Sequence, residues 1–309
     1  MTRRLAPWQV QFVFLSSIWG ASFLFIKEAI RVFAPVDVAL IRVAVGALVL
    51  ALVLAVRREA PPRGRRTWAD LLFVGTVGNA APFTLLAFGE THISSVLTGI
   101  WNATTPLMTM LVAMAVLPDE RPTPRRLAGL AGGFAGVLVV LGPWRHLGGG
   151  QLAGSLMCLG AAACYGVAFP YTRRFLAGRP ESGIALSMGQ LTCATAVLAV
   201  VTIFVGGAPG ALTARSVLSL AALGALGTGL AYILNYAVVR QAGATTASTV
   251  TYLVPIWATL LGVIVLSEPL TWNEPVGAAI VLGSVAASQG LIGPRLRAAR
   301  APRFSDARP

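Results

Sequence analysis

Apolar residues dominate stretches of about 20 positions that recur from one end of the chain to the other. They run roughly over residues 8–27, 36–56, 68–88, 93–117, 126–142, 152–171, 184–206, 216–236, 243–266 and 274–292. About 20 residues rising 1.5 Å each cross a hydrocarbon core about 30 Å thick, so every run predicts one spanning helix, ten in all. The fifth run is the shortest. A membrane β-barrel would instead alternate apolar and polar positions over about ten residues at a time, and that pattern is missing.

Composition agrees with a membrane location: of the 309 residues 56% are hydrophobic and 11% charged, against roughly 25% charged in soluble domains. The net charge of +13 would suit nucleic acid if it formed one patch, but it is distributed by loop. With the N-terminus inside, 19 of the 24 cations fall in cytoplasmic segments (Arg3, Arg4, the Arg57–Arg66 and Arg121–Arg126 groups, Arg173, Arg174, Arg179, Arg240 and the last five arginines), and three (Arg31, Arg145, Arg215) fall outside. By the positive-inside rule both termini are cytoplasmic, and no nucleic-acid role is expected. The first run follows Arg3 and Arg4 as a secretory signal would, but it is too long and lacks a small-x-small cleavage site, so it reads as retained. Cys158, Cys164 and Cys193 fall within spans without C-x-x-C spacing and read as packing residues.

The chain also repeats itself. "GTVGNAAPFTLLAFGE" through "TTPLMTMLVAMAVLPDERPT" resembles "GALGTGLAYILNYAVV" through "LVPIWATLLGVIVLSEPLT", pairing Gly75 with Gly224, Gly78 with Gly227 and Pro106 with Pro255 at one offset. After a one-residue slip Glu120 pairs with Glu268, Thr123 with Thr271 and Gly129 with Gly277, and "WGASFLFIK" resembles "YGVAFPYTR" near the two starts. The expected architecture is all-α and integral to the membrane: a five-helix unit at 1–147, a second at 148–292, and a basic cytoplasmic tail at 293–309. Five is odd, so the second unit enters the membrane from the opposite side, and the repeats are expected to be inverted, a recurring construction of secondary transporters.

Two five-helix repeats, an early "WG…K", a mid-helix proline in the fourth helix of each half and the following "E-x-x-T…G" resemble the EamA-type branch of the drug/metabolite transporter superfamily. The resemblance covers nearly the whole chain. It implies a ten-helix export or exchange carrier, multi-pass in the cytoplasmic membrane of a bacterium, for small metabolites such as amino acids or related compounds.

Candidate solute-binding residues lie on the repeated helices. Thr98, Trp101, Asn102, Thr105 and Thr109 fall on one face of the fourth helix, and Thr245, Ser248, Thr249 and Tyr252 on the ninth. Pro106 and Pro255 are expected to kink these helices as hinges and to free the carbonyls of Asn102 and Thr251. Asn79 and Asn235 add amides from the third and eighth helices, and Trp19 and Tyr165 add aromatic faces at matching places in the two halves. Set against this, Asn, Ser and Thr also join helices, and Trp anchors at interfaces. Arg42 lies six residues past Val36 in the second span, roughly 9 Å along the helix axis. Cations in spans are functional candidates because their burial costs about 2.5 to 3.5 kcal/mol or more near the centre. Arg42, with Lys27 at the outer end of the first helix, is placed to attract a solute carboxylate; snorkelling, or pairing with Glu28 or Asp37, is the alternative.

Every acidic residue sits at a helix end, a loop or the tail, so the coupling ion is open; Glu90 and His92 are nearest to a proton path. Glu120 and Glu268 are expected to hold turns by capping or pairing. Gly129, Gly132, Gly133 and Gly136 in "GLAGGFAG" give overlapping G-x-x-x-G spacings, read as close packing within the monomer or in a homodimer. The expected partners are a small-molecule solute and the lipid bilayer; no cofactor and no metal site is expected. The competing classes, a membrane-embedded enzyme and a channel, lack a catalytic cluster and a charged pore ring respectively.

Overall fold

A computed structural model describes residues 7–116, 122–142, 149–243, 246–247 and 249–289. Their regular structure is entirely helical, with no strand among the described residues. In chain order the helices are α1 (Pro7–Ala29), α2 (Pro35–Arg57), α3 (Arg65–Gly75), α4 (Ala81–Glu90), α5 (Ser95–Asn102), α6 (Thr105–Val116), α7 (Pro124–Leu141), α8 (Gly149–Phe175), α9 (Gly183–Val205), α10 (Ala214–Gly224), α11 (Ala231–Ala242), α12 (Val254–Leu266) and α13 (Asn273–Ser288). A π-helical turn, Thr76–Ala80, joins α3 to α4, and another, Ala225–Leu230, joins α10 to α11. A 3-10 turn, Thr249–Tyr252, precedes α12.

Among the described residues nine segments are long and apolar enough to cross a membrane: α1, α2, α3 to α4, α5 to α6, α7, α8, α9, α10 to α11, and Thr249–Leu266. The tenth run, 274–292, holds α13, 16 residues long as described, which is not among the nine; its residues 290–292 lie outside the described part. Side chains that a soluble protein would hide face outward, including Val56 at 85%, Phe204 at 81% and Ile203 at 78% exposure. Such a shell suits hydrocarbon.

Local chemistry sets the helix boundaries. Ser94, Thr123, Ser182 and Thr213 each accept a backbone N–H from the first turn of the helix they precede. Arg58 and Ser267 close α2 and α12 in the left-handed conformation, both at φ 54°.

Glycine sets the closest helix approach. On α7, Gly136 faces Gly277 of α13, and a Cβ on Gly277 would come within 2.6 Å of the Val140 nitrogen and 2.8 Å of the Gly136 oxygen. Gly129 and Gly132 meet Ser288 and Ser284 of α13, and Gly133 meets Leu107 of α6. The glycine-rich fifth span therefore packs inside its own chain.

At one end of the bundle the connections interlock: Gly210 N donates to Val32 O at 2.8 Å, Gly207 N to Asp37 at 3.2 Å, and Arg215 pairs with Glu28 at 2.8 Å. At the other end Ser182 donates to Glu59, and Arg179 bridges Thr67 (2.7 Å) and Asp70 (2.5 Å). We expect Gly277→Leu to lower stability by about 1–3 kcal/mol through overpacking, read as a drop in the thermal unfolding midpoint in detergent. Gly283→Leu, on the same helix with open space around it, is the control and should leave the midpoint in place.

Candidate functional site: a cavity within the helix bundle

The π turns build the site. A π turn adds a residue to the helical circuit, widens it and misaligns one backbone carbonyl. Leu223 O, just ahead of the second π turn, accepts the hydroxyl of Thr228 at 3.2 Å. The Thr228 oxygen in turn accepts Nε of Arg42 from α2 at 3.0 Å. Three glycines bring these helices together: a Cβ on Gly46 would lie 2.5 Å from the Thr228 methyl, and Cβ atoms on Gly224 and Gly229 would strike Val45 and Val49. The guanidinium then lies over Phe83, 3.7 Å from the ring centroid, a cation–π contact. In the other π turn the Asn79 amide nitrogen donates to Tyr232 OH at 2.6 Å, and Tyr232 also bonds to the Gln190 side chain.

These groups wall a cavity of about 410 Å³. It runs from the connection between α8 and α9, at Leu176, Ala177 and Gly183, to the middle of the bundle at Arg42, Phe83 and Leu86. Trp19, Arg42, Asn79, Asn102, Thr105, Tyr165 and Asn235 line it together. Tyr165 stacks on Phe169 with centroids 5.7 Å apart. Asn79 Oδ1 and the Thr105 hydroxyl are buried without a hydrogen-bond partner among the described residues, which leaves polar capacity for a guest. Arg42 is 6% exposed, and no carboxylate lies within ion-pair distance of it among the described residues.

Other candidates from the sequence lie elsewhere. Trp101 is 2% exposed and packs in the core outside the lining. Tyr252 also lies outside the lining, and its hydroxyl donates to Gln289. Ala103 and Thr104 form a turn between α5 and α6. Helix α5 closes with Thr104 N and Oγ1 both donating to Trp101 O, and Pro106 sits in the first turn of α6, where a missing N–H leaves no bond unmade. Asn102 and Thr105 line the cavity together across this turn, whereas Trp101 faces the core. Pro255 likewise opens α12, and neither proline lines the cavity. Thr245, Ser248 and Glu120 lie outside the described residues.

Lys27 neither snorkels nor pairs with an acid. Its ammonium donates to the carbonyls of Glu90 (2.6 Å) and Ile93 (2.7 Å), satisfying the C-terminal end of α4, where a cation is favoured. Glu268 holds a turn, as expected for it: it accepts Ser95 N (2.9 Å), Ser95 Oγ (2.8 Å) and Val96 N (3.0 Å) at the start of α5. These two contacts seal the bundle beyond Leu86. Tyr232 and Gln190 complete the wall, Thr228 holds Arg42 from behind it, and the sequence does hold a signal for Tyr232 and Thr228. The offset that pairs Gly75 with Gly224 also pairs Asn79 with Thr228 and Phe83 with Tyr232. Among the described residues no three His, Cys, Asp or Glu side chains gather to hold a metal.

The helices long and apolar enough to cross a membrane surround a mostly apolar cavity that carries one buried arginine, an arrangement suited to a membrane transporter. The EamA-like transporter family matches this chain twice, over residues 7–142 and 152–288, and the chain belongs to that family. It is 24% identical to the uncharacterised transporter YoaV of Bacillus subtilis over 266 residues, covering 85% of this chain and 90% of that protein. It is 31% identical to an uncharacterised protein of Pseudomonas aeruginosa over 270 residues, covering 82% and 83%. Protein PecM of Dickeya dadantii is 24% identical over 272 residues, covering 87% of each. A solved crystal structure superposes with a TM-score of 0.66 at 18% identity, over 92% of this chain and 97% of the other, a likeness of fold alone.

Glu268→Ala should remove three hydrogen bonds from the seal and lower stability by roughly 2 kcal/mol, read as a lower unfolding midpoint. Asp37→Ala, which removes the single exposed acceptor of Gly207 N, should cost less in the same assay.

Proposed function

We propose that the chain is a secondary transporter that exports or exchanges small metabolites, amino acids or related carboxylates, by alternating access. Its two five-helix units, 1–147 and 148–292, are inverted relative to each other about the central cavity, with both termini in the cytoplasm of a bacterium. The arginine distribution supports this orientation. In it the α8–α9 connection is cytoplasmic, and the Lys27 and Glu268 contacts close the outer side, so the cavity faces inward.

One observation carries the choice of solute. Arg42 is a buried guanidinium in the cavity wall, held by Thr228 and Phe83 through Nε and its face, with no carboxylate paired to it. Its terminal nitrogens present the two-pronged donor geometry that carboxylates match. Asn79, Thr105 and Asn235 supply neutral polar contacts for the rest of the solute, and Trp19 and Tyr165 supply apolar walls.

The test is a metabolite panel exported from cells overproducing the protein and repeated as counterflow in proteoliposomes. Arg42→Ala should weaken handling of carboxylate solutes by about ten- to a hundredfold, the equivalent of one charge-assisted pair. Arg42→Lys should not restore it, because lysine lacks the Nε donor and the planar fork. Undiminished export of every carboxylate solute by Arg42→Ala would remove Arg42 from the site, and enzymatic conversion of a panel member would replace the carrier reading.

A further inference from the structure

Among the described residues Glu90 alone has both carboxyl oxygens buried without a hydrogen-bond partner. It is 0% exposed. It ends α4 on the face that carries Phe83 and Leu86, both of which line the cavity. The carboxyl therefore lies about one helical turn beyond the cavity's closed end.

Charged and titratable groups face it from each packed element. Helix α1 brings Lys27, α2 brings Arg42, and the connection after α12 brings Glu268. Helix α8 brings Cys158, which is bonded to Thr98 of α5, and His92 follows on the same strand of chain against Gly150 and Gly154. The hydrogen bonds of the charged neighbours go elsewhere: those of Lys27 to the carbonyls of Glu90 and Ile93, that of Arg42 to Thr228, and those of Glu268 to Ser95 and Val96. A carboxylate anion at such depth needs hydrogen bonds that are not there, whereas the neutral acid is tolerated. Gly89 and Gly154 keep water out, since a Cβ on Gly154 would lie 2.9 Å from Gly89 O and from Ile93. Opening this end separates α1 from Glu90 and Ile93, admits water, and frees the Lys27 ammonium to face the carboxylate.

We propose that Glu90 is a proton-binding site of the transport cycle: sealing the outer end takes up one proton from that side, and reopening releases it. An O–H bond forms on one carboxyl oxygen, the proton comes from outer water, and the site charge goes from −1 to 0. This inference rests on the alternating-access reading; because the proton returns to the side it came from, Glu90 makes closure of the outer end pH-dependent without itself moving a proton across the membrane.

The experiment needs no solute. In a protein with Cys158, Cys164 and Cys193 replaced by alanine, Val96→Cys places a thiol on the buried seam where Val96 meets Gly262. Ala208→Cys, on an exposed connection at the same end, is the reference. Both are labelled in proteoliposomes by a membrane-impermeant maleimide on the outer face, and the ratio of the two rates cancels the pH dependence of thiol chemistry. The ratio should fall as pH is lowered, approaching tenfold per pH unit, the limit for one linked proton. Glu90→Gln, which mimics the neutral acid, should give a low ratio that does not change with pH. A pH-independent ratio in the parent protein, or a parent-like pH profile in Glu90→Gln, overturns the proton site while leaving alternation intact. A seam thiol that never labels at any pH overturns alternation and this proposal with it.

Discussion

A guanidinium in hydrocarbon must find its partners inside the protein, and the centre of this bundle is arranged around that demand. Arg42 obtains a hydroxyl and an aromatic face, and neither is a counter-ion. The hydroxyl belongs to Thr228, which reaches Arg42 because the helix widens there into a π turn and because Gly46 leaves room for its methyl. The Thr228 hydroxyl also donates to Leu223 O, just ahead of that turn. One threonine thus supports an irregular backbone and orients a charge, and the cavity wall follows from both.

The same rule governs the sealed end. A chain that reverses at membrane depth exposes carbonyls at one helix end and N–H groups at the next helix start, with little water to take them. Lys27 supplies the missing donors to the end of α4, and Glu268 supplies the missing acceptors to the start of α5. Both reach across from other segments, so helix capping and closure of the bundle are one set of contacts. A state open at this end must find other partners for the same groups.

Much of this was legible in the chain, and the limits have physical causes. The spans are readable because lipid demands long apolar runs; α13 is the shortest of them as described. Arg42 stands out as a cation within a span, and its place in the cavity wall is consistent with that. Trp101 and Tyr252 fall outside the lining although their neighbours Asn102 and Thr251 are in it, because helical periodicity marks a buried face without saying whether core or cavity lies against it. The π turns leave no hydropathy signal at all. Their trace is the paired glycines Gly75, Gly78, Gly224 and Gly227, which let the widened turns approach their neighbours. Glu90 looks interfacial from its position at a helix end, and only the packing of α8 against Gly89 shows that it is dry.

The uncompensated arginine has an electrical consequence. The vacant cavity carries one more positive charge than the cavity holding a monovalent anion. A potential of 100 mV acts on a charge crossing the whole membrane field with about 2.3 kcal/mol. Under the alternating-access proposal, whatever share of that field shifts past Arg42 as access changes sides, voltage would bias the return of the vacant form and leave a form loaded with a monovalent anion nearly untouched.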